Sequence, residues 1–231
     1  MYNQKVRDLV YLSMLMAIII VLAFVPNIGL FRIGPISFTI VHIPVIIATI
    51  YLNRRIGVLT GAIFGISTLI VAYTQVMETP FTTDFLFRNP AISVAPRMLF
   101  PYITALFYDN LKKHLKNDYL NVFITSIFGS FIHSILVLST LFFEFMNVLY
   151  LEKAQYLVVN TERIMVPFFN TEIEINFITD ALKFIGFVFL TSSIAEAIIS
   201  GILATAVIFA LRKLNQKLGD QEELLNQINK K

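Results

Sequence analysis

Cysteine is absent from this 231-residue chain. That excludes a disulfide framework and any thiolate metal site. A GxxxxGK[ST] phosphate loop is also missing, so the chain carries no ATP motor of its own. Its three histidines, His42, His114 and His133, do not form HxxxH or HExxH spacing, and no metal centre is expected. Charge is scarce as well. Charged residues make up 14% of the chain against 57% for the apolar set, and mean hydropathy is +0.75. A soluble domain carries about 25% charged residues, so this balance points to a membrane protein.

What the chain does contain is six long apolar stretches, at about 9–25, 37–52, 56–73, 90–108, 119–143 and 180–211. A membrane helix needs roughly 20 apolar residues. The second stretch is short and the sixth is long, so tilt and interfacial ends are expected. The runs are continuous rather than alternating, which favours helices over strands. The expected architecture is an all-α integral membrane protein with six transmembrane helices in one domain, 1–231. A polar helical tail occupies 212–231. The first stretch meets Pro26 and Asn27 without a small-residue cleavage site, so it is read as a span rather than a removable signal.

Basic residues give the expected topology. Twelve of the 18 Lys and Arg fall before span 1, between spans 2 and 3, between spans 4 and 5, or after span 6. They include Arg54, Arg55, Lys112, Lys116 and Arg212. The opposite face carries acids such as Glu78, Asp84, Glu144 and Glu172. The positive-inside rule then places both termini in the cytoplasm. The charges of the tail can serve topology and solvation alone, or bind particular lipids. The inner turns are short. The outer segments 26–36, 74–89 and 144–179 are long enough to act as lids. Within the last, 167–178 alternates apolar and polar residues and suits a short interfacial strand or helix.

Gly57, Gly61 and Gly65 recur every four residues in span 3 and form a smooth stripe for close helix packing. Ser13 and Ala17, also four apart, make a smaller notch in span 1. It serves either internal packing or docking of a partner membrane protein.

Polar residues inside the membrane are costly, so they carry the sharpest information. They are His42 in span 2, Arg97 in span 4, His133 in span 5 and Glu196 in span 6. Asn89 and Pro90 form an N-cap and first-turn proline, starting span 4 at the outer surface. Arg97 then lies roughly 10 Å inside. Pro96 and Pro101 each lack an amide hydrogen, so the helix should bend and leave carbonyls free. A cation there suits a carboxylate or phosphate, or an internal pair with Glu196. His42 and His133 fall at similar depth and suggest a polar cavity. Glu196 could relay protons, pair with Arg97 or bind a ligand.

These same residues carry a family resemblance. The segments HIPVII, GAIFG and NPAISVAPR resemble the substrate-binding S components of energy-coupling factor (ECF) vitamin transporters, and within them the pantothenate type. The likeness is strongest over 22–107 and weak over 144–178. It implies six membrane helices around an outward-facing vitamin pocket. The implied partners are a transmembrane T component and two cytoplasmic ATPase subunits, with membrane lipid around them and no nucleic acid. The candidate substrate-binding set is Arg97, His42, Asn89, His133, Glu196 and Thr39, with no catalytic residue and no cofactor expected. Many S components dock the T component through an alanine pair in helix 1, where Ser13 and Ala17 stand here. The pantothenate type carries asparagine near the place of His133. Two other classes remain open: a self-sufficient proton-coupled carrier using Glu196 and His133, and an intramembrane enzyme or structural protein. Folate, riboflavin or biotin are alternative cargoes.

Overall fold

A computed structural model describes residues 4–25, 28–33, 36–74, 83–150, 164–166, 171–173, 182–183 and 186–228. Helix α1 (Gln4–Phe24) leads into an antiparallel hairpin of β1 (Leu30–Ile33) and β2 (Ile36–Thr39). The register pairs Leu30 with Thr39 and Ile33 with Ile36. Helix α2 (His42–Leu52) follows, and its last turn widens to π geometry. Asn53 then turns the chain in extended conformation. It caps α3 (Arg54–Thr74), accepting the Ile56 amide at 3.0 Å on its side-chain oxygen. That one residue suffices for the connection because its side chain satisfies a donor the helix start leaves free.

A 3-10 turn (Thr83–Arg88) precedes α4 (Pro90–Ser93) and α5 (Ala95–His114). Asn89 caps α4, accepting the Ala91 amide at 3.0 Å, and Pro90 occupies the first turn. Helix α6 (Asp118–Tyr150) is followed by a hairpin of β3 (Ile164–Val166) and β4 (Thr171–Ile173). A π-helical turn (Phe189–Ser193) then opens α7 (Ile194–Ile228). Helices α3, α5, α6 and α7 pack in series, and α1 lies on α3. Among the described residues, five helical segments are long and apolar enough to cross a membrane, while His42–Leu52 is shorter.

Several boundaries differ from the sequence reading. The second span was read from 37, but 36–39 is a strand and the helix begins at His42. The residues Ile36-Ser37-Phe38-Thr39 alternate and include two β-branched side chains, which suits a strand beside a partner. The fourth helix continues past 108 to His114, so the inner turn shortens to 115–117. The fifth continues past 143 to Tyr150. The fold is the expected helical one, with two small hairpins among the described residues. Of the alternating segment 167–178, only 171–173 is described, and it is strand. The expectations placed on 26–27, 34–35, 75–82, 151–163, 167–170 and 174–181 fall outside the described residues.

The glycine stripe sits where helices meet most closely. A Cβ on Gly57 would meet Thr49, and one on Gly65 would lie 2.6 Å from the Val94 Cα. Gly61 faces the Arg97 carbonyl and the ring of Pro101. Along α1, Leu15 and Ile19 are buried, whereas Ser13 and Ala17 are exposed. Two residues turn a helix by roughly 200°, so one face packs inward and the other points away.

Candidate functional site

Arg97 is held by the backbone irregularity that two prolines create. Residue 96 would normally donate its amide to the Ile92 carbonyl. Pro96 has no amide hydrogen, so the helix breaks at Val94 and Ile92 is left with an open acceptor. The Arg97 Nη1 fills it at 2.9 Å. One turn on, Pro101 leaves the Arg97 carbonyl without its helical donor, and Gly61 of α3 packs against that oxygen. The expected bend and freed carbonyls thus become the frame that orients the guanidinium.

Aromatic rings enclose the cation. Its Cζ lies 5.1 Å from the Phe64 centroid and 4.9 Å from that of Phe87. Arg97 is 5% exposed, and its Nε has no partner among the described residues. No described carboxylate lies within 4 Å, and no ion pair with Glu196 forms. A buried guanidinium with a free donor is costly to leave that way.

Phe64 also reaches His133, with centroids 5.6 Å apart. The His133 ring stacks on His42 at 5.0 Å and 12°, and the Phe100 ring meets it edge-on at 5.0 Å. Neither ring nitrogen of His133 has a described partner, although the residue is 3% exposed. His42 is anchored differently. Its Nε2 lies 2.7 Å from Ser200 Oγ and 3.1 Å from Ser130 Oγ. So the Nε2 of His42 is fixed by α6 and α7, while its Nδ1, both ring nitrogens of His133 and the Nε of Arg97 have no partner among the described residues. This aromatic cage can take a ligand with an anionic group, further polar atoms and an apolar body.

The remaining candidates serve as ties. Glu196 accepts the Thr39 amide at 2.7 Å, joining the β1–β2 hairpin to α7. Thr39 Oγ1 accepts the Val41 amide at 3.3 Å. Ser200 lies one turn after Glu196, so Thr39–Glu196 and His42–Ser200 are successive rungs along α7. Asn89, besides its capping bond, donates to Glu144 Oε1 at 3.1 Å and links α4 to α6. The structure therefore groups Arg97, His42 and His133, sets Glu196 with Thr39, and places Asn89 at a helix junction.

Sequence reading missed Ser130, Ser200, Phe64, Phe87 and Phe100. Ser130 lies three residues before His133 and Ser200 four after Glu196, a helical spacing that could have flagged both. The phenylalanines carry no comparable signal in a chain with 22 of them.

Comparison with known proteins bears on this arrangement. A family model described as the substrate-specific component of ECF transporters matches residues 7–208. The chain is 27% identical to the pantothenic acid transporter PanT of Lactococcus lactis subsp. cremoris over 226 residues, covering 92% of this chain and 97% of that one. It is 31% identical to the pantothenate transporter PanT of Leuconostoc mesenteroides subsp. mesenteroides over 122 residues, covering 51% and 56%. Among solved structures, the S component for biotin from an ECF-type ABC transporter superposes with a TM-score of 0.50 at 17% identity, covering 90% and 93%. At that identity the superposition bears on the fold alone.

Proposed function

The chain belongs to the substrate-specific components of ECF transporters, and from that premise we propose that it is the pantothenate-binding subunit of an ATP-driven uptake system. The observation that carries the cargo is Arg97, a buried guanidinium oriented by the backbone and lacking a described carboxylate. Pantothenate offers one carboxylate for it. Its hydroxyls and amide suit the free nitrogens of His133, and its gem-dimethyl group suits the rings of Phe64 and Phe100. The nearly full-length match to a pantothenic acid transporter supports the same choice. Glu196 is engaged by the Thr39 amide and forms no bond with His133, so the proton-relay alternative gains no support.

Titration of the purified chain tests the reading. Pantothenate should bind more tightly than biotin, folate or riboflavin. Binding of one of those in its place would reject the cargo and leave the family membership intact.

In this proposal the ends rich in Lys and Arg face the cytoplasm, and energy comes from a T component with two ATPases. The exposed face of α1 with Ser13 and Ala17 is then the contact for the T component, since small residues let helix backbones approach. Ala17→Phe should leave pantothenate binding by the isolated chain unchanged within about twofold, because the side chain points away from the core. ATP-driven uptake by the reconstituted complex should fall about tenfold or more as the backbones are forced apart. Lost binding with normal uptake per bound ligand would return Ala17 to internal packing.

A further inference from the structure

We propose that the inner end of the bundle holds a binding site for the phosphate of an anionic lipid, separate from the vitamin site. A cavity of about 540 Å³ lies there, lined by Lys112, Leu115, Lys116, Asp118 and Arg212. It is far from the aromatic cage: Arg97 and Lys112 are roughly 22 Å apart along α5. Three helices and one connection meet at it. Lys112 is in the last turn of α5, Leu115 and Lys116 form the connection, Asp118 opens α6, and Arg212 comes from α7.

The charges in this cavity are not balanced. Asp118 pairs with Arg212, whose Nη2 also donates to the Tyr108 hydroxyl at 3.1 Å. The Arg212 Cζ lies 5.1 Å from the Phe209 centroid. Arg212 is therefore fixed, and the single carboxylate of the lining is already used. Lys112 and Lys116 remain exposed, and no described carboxylate pairs with either. Lys112 sits 5.9 Å from the Tyr108 ring centroid, so the same tyrosine steadies both cationic walls. A phosphate diester supplies the missing negative charge, and lysine binds it as a mobile point charge.

The apolar surroundings favour a lipid over free phosphate. Tyr119, adjacent to Asp118, is exposed and stacks on Phe209 at 3.5 Å. Exposed aromatic rings of this kind sit at the level of the lipid headgroups. From there towards the middle of the bundle, Ile202 and Ile198, seven and eleven residues before Phe209 and so on the same face of α7, are exposed. An occupant with a phosphate head and acyl tails can satisfy the lysines and cover this surface together. The same lysines could instead meet an acidic segment of a partner protein, and the test distinguishes the two.

Native mass spectrometry of the detergent-purified chain provides it, with phosphatidylglycerol, phosphatidylcholine and inorganic phosphate as probes. Phosphatidylglycerol should be retained over phosphatidylcholine, and inorganic phosphate should not displace it. Lys112→Gln with Lys116→Gln should lower that retention about tenfold. Lys213→Gln with Lys217→Gln removes the same charge outside the cavity and should leave retention unchanged. Equal losses in the two pairs would reduce the effect to the general field of the basic end and overturn the site. Retention of phosphatidylcholine equal to that of phosphatidylglycerol, or displacement by phosphate, would overturn the lipid assignment. So would unchanged lipid retention accompanied by lost assembly with the membrane partner, which would assign the lysines to a protein contact.

Discussion

Arg97→Ala is expected to bind pantothenate about a hundredfold more weakly, a loss of about 2.7 kcal/mol that matches removal of a charge-assisted pair from a buried site. Protein yield and melting temperature should change little. The wild-type cation is buried without a described counter-charge, so deleting it also removes a desolvation cost. Arg97→Lys should recover only part of the affinity. An ammonium cannot hold the Ile92 carbonyl and present a planar fork to a carboxylate at once. Pro96→Ala provides an internal comparison. It restores an amide hydrogen that can take the Ile92 carbonyl, releasing Arg97 Nη1 from its anchor. The charge remains but its orientation is lost, so affinity should fall by about tenfold, less than for Arg97→Ala. Calorimetry on the three variants decides the matter. Wild-type affinity in Arg97→Ala would remove Arg97 from the site.

Gly61→Val should have the largest effect on stability. Its Cβ would collide with the Arg97 carbonyl and press on Pro101. That oxygen cannot retreat into a helical hydrogen bond, because residue 101 has no amide hydrogen. Overpacking at a backbone contact costs about 3 kcal/mol, and the expected fall in melting temperature is about 6–12 °C. Since Gly61 also buttresses Arg97, pantothenate affinity should drop in the same variant. Gly219→Ala is the control. Nothing lies within 4 Å of the added Cβ, and the site is an exposed helix. Alanine there should leave the melting temperature unchanged or raise it slightly. If Gly61→Val melted with the wild type, helices α3 and α5 would not meet as closely as their backbones indicate.

The helices were legible in the sequence because the bilayer imposes a length and a composition on any segment that crosses it. The glycine stripe was legible for a related reason: spacing by four puts residues on one helix face whatever the partner is. The short hairpin at 30–39 was not legible. Its second strand runs directly into the apolar run of α2, and continuous hydrophobicity cannot separate a paired strand from a helix start. The helix ends were also misplaced, because Leu111 to His114 and Glu144 to Tyr150 keep helical backbone beyond the apolar core of each span.

For the site, the sequence by itself determined which residues were too costly to be in a membrane without a reason: His42, Arg97, His133 and Glu196. It also determined that Pro96 and Pro101 would free two carbonyls beside Arg97. Only the tertiary structure decided how those groups are satisfied. It gave the Ile92 carbonyl to Arg97 itself, and Glu196 to the amide of Thr39 rather than to Arg97. It gave His42 to Ser130 and Ser200 and left His133 stacked on His42 beside Phe64 and Phe100, with neither ring nitrogen paired among the described residues. The physical reason is that a polar group's cost of burial is local and can be read from one residue. Its partner depends on which helix faces meet, and that is fixed by packing among segments far apart in the chain.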